Sequence, residues 1–183
     1  GRIHMNSCDF ALGNYDYLAP GDETLESFDI SHDRKEIIPM IHDAQKNAAE
    51  PMEFLVSPWS PPAFMKTNGE MNHGGSLKKK YYDLWARYFA KFIREYEKEG
   101  IEIGYLTVQN EPQAVQTWDS CIYSSEEESI FVKNHLGPVL EEAGLSGVKI
   151  FVWDHNKEEG YQRMKEVIED PAARKYVSGT AMH

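Results

Sequence analysis

The sequence predicts an α/β fold with parallel strands. Short, almost wholly apolar runs alternate with amphipathic helical stretches, and each run stops at a polar or proline-containing loop. Continuous apolar strands separated by helices are the pattern of βαβ units covered on both faces. The ends of the runs are the second sign. They carry Asp9, Trp59, Asn110, Glu111, Asp154 and His183, and parallel sheets gather their chemistry at the carboxyl ends of strands.

Residues 2–5 open the chain as a short strand. Asp33 and Glu36 have the spacing of a capping pair for a helix running to about Ala48. Phe54-Leu55-Val56 reads as a buried strand stopped by Ser57-Pro58. Leu84, Trp85, Tyr88, Phe89, Phe92 and Tyr96 recur at helical spacing, with Gly100 as the stop. Residues 101–108 form the next strand, stopped by Asn110-Glu111-Pro112. Ser124 with Glu127, or Ser125 with Glu128, caps a helix towards Ala143, with Gly144 after it. The acidic run 126–128 suits the positive end of that helix dipole. Residues 148–153 are a fourth strand, and Tyr161, Met164 and Ile168 make the stripe of a helix ended by Asp170-Pro171. Residues 176–182 are the fifth strand.

A closed eight-stranded barrel takes about 250 residues. The 183 residues here predict an open sheet or part of a barrel. No repeat or low-complexity linker divides the chain, so residues 1–183 read as one unit.

Composition narrows the function classes. Thirty acidic against 19 basic residues give a net charge of -11, which argues against nucleic acid and anionic membrane as partners. No apolar run approaches the ~20 residues of a membrane span. Cys8 and Cys121 read as free thiols, and without a Cys-x-x-Cys pair no structural zinc is expected. The seven histidines show no His-x-x-x-His or His-Glu-x-x-His spacing, so no catalytic metal is expected either. The glycines form no phosphate loop, and no cofactor is implied. No signal peptide is read at the start, which is not a Met. A secreted or periplasmic location is favoured over a cytoplasmic one, and the oligomeric state is left open.

Asn110-Glu111-Pro112 is the sharpest motif. A glutamate at a strand mouth can be desolvated by its apolar neighbours, which suits it to give a proton to a leaving oxygen and later take one from water. The same tripeptide is also an ordinary turn sequence. Trp59, in Ser57-Pro58-Trp59-Ser60-Pro61-Pro62, offers a sugar platform or packs under its loop. Lys66 to Gly69 and Asn72 to Gly75 make a long polar loop, either functional or a solvated excursion. Asp9 could accept bonds from ligand hydroxyls or cap a turn, and Trp118 could line a cleft or cover the sheet.

Taken in order, these segments resemble the glucosylceramidase-like branch of glycoside hydrolase family 30. The resemblance rests on Ser7-Cys8-Asp9-Phe10 with Tyr15-Asp16-Tyr17, on residues 55–62, and on Phe64-Met65-Lys66-Thr67-Asn68-Gly69 with Gly75-Ser76-Leu77-Lys78. Trp85-Ala86-Arg87-Tyr88-Phe89, Thr107 to Pro112, Leu136-Gly137-Pro138 and Asp170-Pro171 continue it. It implies a (β/α)₈ barrel, of which this chain holds about the second to the sixth strand. It also implies Glu111 as acid/base, Asn110 on the hydroxyl beside the anomeric carbon, and Asp9 and Trp59 on the glycone. Arg2 would orient the catalytic pair, and His183 would lie at the sixth strand's end. The family's nucleophilic glutamate falls on the seventh strand, so no residue here takes that role.

The implied reaction is retaining hydrolysis of β-glucosides such as glucosylceramide, with a carbohydrate or glycolipid as partner. The alternatives are a relative acting on β-1,6-glucan, β-xylosides or β-fucosides, or a noncatalytic sugar-binding fragment.

Overall fold

A computed structural model describes all of residues 1–183. Five strands, β1 (Arg2–Met5), β2 (Phe54–Pro58), β3 (Ile103–Thr107), β4 (Lys149–His155) and β5 (Val177–Met182), form one sheet. They lie in chain order, and every neighbouring pair is parallel. A doubly wound sheet reverses its strand order at a switch point, whereas a barrel wall keeps it. The observed order is therefore that of part of a barrel, and the open-sheet alternative falls.

Register explains which side packs. Ile3 lies opposite Val56, Val56 opposite Leu106, and Leu106 opposite Ile150. All four are buried in the hydrophobic core against the helices. The alternate residues Arg2, Leu55, Tyr105 and Lys149 also lie in one row, on the other face, and that row is only half-buried or exposed. The strands thus alternate, with one face sealed by the helices and the other forming the inner wall of the partial barrel.

The helices follow the predicted stripes with two exceptions. Helix α3 (Tyr82–Lys98) buries Leu84, Trp85, Tyr88, Phe89, Phe92 and Tyr96, and Gly100 follows at φ +75°. The segment before β2 is split into α1 (Ser31–Lys35) and α2 (Ile37–Asn47), and neither start has a side-chain cap. Asp33 is instead fully buried, accepting hydrogen bonds from the Tyr17 and Tyr96 hydroxyls at 2.6 and 2.7 Å. Buried phenols need an acceptor, and that requirement displaces the expected capping pair.

Ser124 and Glu127 do form a capping box for α4 (Ser125–Phe131). The helix then widens into a π-turn (Val132–Leu136) and resumes as α5 (Gly137–Glu142). Helix α6 (Lys157–Ile168) departs from the predicted stripe. Gly160, Arg163 and Val167 face inward, while Tyr161 is exposed. Arg163 takes the inward position because a buried carboxylate, Glu128, waits there. A short helix, α7 (Pro171–Arg174), capped by Asp170, leads into β5.

The long loop between β2 and α3 is not a solvated excursion throughout. Lys66 is fully buried, donating to the Met71 and Ser120 carbonyls at 2.8 and 2.6 Å. Burial pushes its ammonium down to about 8. The loop is thereby tied to the one that follows β3. Cys8 and Cys121 are both free and buried. No helix is long and apolar enough to cross a membrane.

Candidate active site

The carboxyl ends of β2 to β5, together with Arg2 at the start of β1, carry one connected polar network. Its hub is Asp154, at the end of β4, with a side chain only 3% exposed. Asp154 Oδ2 accepts from Arg2 Nη2 at 2.7 Å and from Ser57 Oγ at 2.8 Å. Thr107 Oγ1 lies 2.8 Å from both Ser57 Oγ and that same oxygen. Asp154 Oδ1 faces His183 Nδ1 at 3.1 Å. Each partner comes from a different strand or the residue just after one, so this one carboxylate ties five strands together.

Arg2 distributes the network further. Its Nη2 also donates to Asn110 Oδ1 at 2.8 Å, its Nε reaches Ser57 Oγ at 3.2 Å, and its guanidinium lies 4.8 Å from the centre of the Trp59 ring. With Asn110 Oδ1 engaged, the amide NH₂ of Asn110 is the group left to donate to a ligand. Gln109 locks the frame from below, its Nε2 donating to the carbonyls of Trp59 and Asn110 at 2.7 and 2.9 Å. Trp59 itself is 9% exposed.

Glu111 stands at the mouth of this frame, with a side chain 26% exposed. Its Oε1 lies 3.4 Å from His183 Nε2, so one imidazole spans Glu111 and Asp154. The backbone here is held in the left-handed region at Glu111 (φ +47°), Trp153 (φ +77°) and Asp154 (φ +50°). Such residues are strained by about 1–3 kcal/mol each and persist where their surroundings over-determine them. The constraints are visible. Glu111 N donates to the Asp154 carbonyl at 3.0 Å, and Trp153 N donates to Glu128 Oε1 at 3.0 Å. Glu128 is fully buried, and burial raises its carboxyl above the usual range despite Arg163 Nε at 2.9 Å.

Arg2, Trp59, Asn110, Glu111 and His183 are thus brought together. Asp9 and Trp118 lie on loops that leave the same strand ends, but no hydrogen bond or ring contact joins their side chains to the network. The two loops are joined through Asp119, which accepts from Ser7 Oγ at 2.6 Å and Asn14 Nδ2 at 3.0 Å. The sequence reading missed the roles of Asp154, Ser57 and Thr107. Asp154 was visible as a polar strand end, but its partners lie 29 to 152 residues away, and no local spacing encodes them. No group of three or more His, Cys, Asp or Glu converges as a metal site.

A carboxyl at the rim, an asparagine amide beside it and a buried cationic–anionic frame beneath can orient a hydroxylated ligand and move one proton. The model of the glycosyl hydrolase family 30 TIM-barrel domain matches residues 1–183. The chain belongs to glycoside hydrolase family 30. Within this family it is 35% identical to the lysosomal acid glucosylceramidase of Mus musculus, across 100% of this chain and 37% of that protein. The solved structure of SrfJ from Salmonella typhimurium superimposes with a TM-score of 0.94 at 42% identity, covering 100% of this chain and 41% of SrfJ. The endo-beta1,6-glucanase BT3312 superimposes with a TM-score of 0.90 at 31% identity, covering 100% of this chain and 42% of BT3312. The chain therefore spans about 37% of the length of the curated family 30 relative.

Proposed function

We propose that the protein containing this chain is a retaining β-glycosidase acting on β-glucosides, with residues 1–183 forming part of its catalytic barrel and Glu111 as its acid/base. The observation that carries this reading is the placement of Glu111. It is a partly exposed carboxyl on a braced, left-handed turn, beside a histidine and an asparagine amide that is free to donate.

In this mechanism the Asn110 amide holds the hydroxyl next to the anomeric carbon, and Trp59 and Asp9 border the glycone. Glu111 protonates the glycosidic oxygen while a carboxylate nucleophile about 5 Å away attacks the anomeric carbon. The aglycone leaves, and the glycosyl group becomes an ester of the nucleophile. Glu111, now a carboxylate, takes a proton from water as that water releases the sugar. The nucleophile is assigned to none of the acidic residues of this chain. Asp154 is unsuited to the part, because its oxygens are occupied by Arg2, Ser57, Thr107 and His183.

A glucosylceramidase-like substrate is supported by the name of the mouse relative. The exposed apolar side chains Phe10 and Leu12, on the loop after β1, would suit an apolar aglycone. The second reading, β-1,6-glucan, is supported by the likeness to BT3312.

The test uses the full-length polypeptide and its Glu111→Gln variant on two β-glucosides, one with a dinitrophenyl leaving group and one with an alkyl leaving group. The variant is expected to lose the alkyl glucoside by at least about 100-fold more than the activated one, within the usual range for general acid catalysis. Equal loss on both substrates, or no loss, overturns the assignment of Glu111.

A further inference from the structure

We infer that the buried Glu128–Arg163 pair is a positioning clamp for the acid/base: from the helix side of the sheet it grips the Asn110-Glu111-Pro112 turn at two points. This rests on the glycosidase reading above, and it gives a part in the reaction to two residues that touch no substrate.

Glu128 comes from α4 and Arg163 from α6, and both are buried. Their side chains bond only each other and two main-chain groups. The first grip runs through β4. Glu128 Oε1 accepts the Trp153 N–H at 3.0 Å. There the β4–β5 register shifts between Trp153 and His155, and Trp153 and Asp154 take left-handed φ values of +77° and +50°. That bend leaves the Asp154 carbonyl to accept from Glu111 N at 3.0 Å. The Trp153 indole is anchored as well, its Nε1 donating to the Asn156 carbonyl at 2.7 Å.

The second grip runs through the loop after β3. Arg163 Nη2 donates to the Tyr123 carbonyl at 2.6 Å, and Tyr123 N donates to the Pro112 carbonyl at 2.9 Å. Each partner of the ion pair is therefore one main-chain hydrogen bond removed from the turn. Glu128 reaches it through residues 153–154, and Arg163 through Tyr123.

Packing alone does not call for charges at this place, since a buried ion pair contributes little over an apolar pair of similar volume. An apolar pair, however, can neither accept the Trp153 N–H nor donate to the Tyr123 carbonyl. Two successive non-glycine residues in the left-handed region persist only where such bonds over-determine them. Loosening the grips lets Glu111 drift from the leaving oxygen, and a misplacement of about 1 Å can cost about 100-fold in rate.

The experiment compares two double variants of the full-length polypeptide with wild type. Both Glu128→Leu/Arg163→Met and Glu128→Gln/Arg163→Met lack the ion pair, but only the amide variant can still accept from Trp153 N–H. The kcat/KM values are measured on an alkyl β-glucoside, which needs the acid, and on dinitrophenyl β-glucoside, which does not. The apolar variant is expected to lose about 10- to 100-fold on the alkyl substrate and far less on the activated one, while its urea midpoint lies close to wild type. The amide variant recovers a large part of that loss. A merely structural pair would lower both substrates equally, in step with the folded fraction. That result overturns the inference, as does a wild-type kcat/KM in the apolar variant.

Arg163→Lys tests the second grip even if the apolar pair fails to fold, because a lysine can stay paired with Glu128 but cannot fork to Tyr123 as well. The same selective loss on the alkyl substrate is expected, and equal loss or none overturns the inference. Amide hydrogen exchange read by mass spectrometry needs no substrate. Segments 109–112 and 151–155 should exchange faster in the apolar variant than in wild type, and unchanged exchange overturns the clamp. If exchange quickens but wild type cleaves neither glucoside, the clamp on the turn stands and the glycosidase reading fails.

Discussion

Replacing Arg163 by Met should cost the fold about 3–5 kcal/mol, the range for breaking one side of a buried ion pair. Glu128 is fully buried and Arg163 nearly so, with Nε–Oε2 at 2.9 Å. Arg163 also donates to the Tyr123 carbonyl at 2.6 Å, a bond that methionine cannot replace. Burial already raises the Glu128 carboxyl, and removing the guanidinium raises it further, so the variant partly escapes the cost by protonating Glu128. A carboxyl whose folded pKa is raised loses stability as pH climbs from its unfolded value through the folded one. The deficit of the variant should therefore be smaller at pH 5 than at pH 8. Urea unfolding followed by far-UV circular dichroism at both pH values measures this. Tryptophan fluorescence gives a second probe, since Trp153, one of four tryptophans, has its backbone N–H held by Glu128. A deficit below about 1 kcal/mol that does not change with pH would refute the reasoning. Replacing both partners with Glu128→Leu and Arg163→Met should recover most of the loss, since an apolar pair of similar volume carries no stranded charge.

Arg2→Lys should lower kcat/KM by about 10- to 100-fold with an unchanged circular dichroism spectrum. An ammonium cannot fork to Ser57, Asn110 and Asp154 together, and each lost charged hydrogen bond carries about 1.5–3 kcal/mol. Lys66→Met should change the pH dependence of stability. Lys66 sheds its proton near pH 8 when folded and near the ordinary 10.5 when unfolded. The unfolded chain therefore binds more protons between those values, and wild type should gain on the variant as pH rises across that window, measured as the difference in Tm. Gly137→Ala should destabilise by about 1–3 kcal/mol despite alanine's better helix propensity, because the added Cβ would run into the Tyr176 ring. A rise in Tm would show that the ring moves aside freely.

The legible part of the fold was the part with local causes. Strand β1 coincides with the predicted run, and the other four strands lie within about two residues of theirs at nearly every end, because apolar runs and proline or asparagine stops act over a few neighbours. The Ser124–Glu127 capping box and the glycine stops at Gly100 and Gly144 were legible for the same reason. The misreadings share a different cause. Asp33 looked like a cap and is an acceptor for two buried phenols. Tyr161 was read on the buried stripe and lies outside, and Arg163 takes the inward place. Lys66, on a loop read as either functional or solvated, is buried and holds two loops together. In each case a buried polar group had to find its partner, and that need outweighed the local pattern.

The sequence by itself determined the alternation of strands and helices, the polar character of the strand ends, and Glu111 as the carboxyl to watch. Those follow from periodicity and turn chemistry. Only the tertiary structure decided that the strands keep chain order in one wall and that Asp154 gathers Arg2, Ser57, Thr107 and His183. It alone set Glu111 within reach of His183. These relations join residues 29 to 152 positions apart. They exist because low-dielectric burial makes an unpartnered charge too costly to leave alone, and the sheet is what brings the partners within reach.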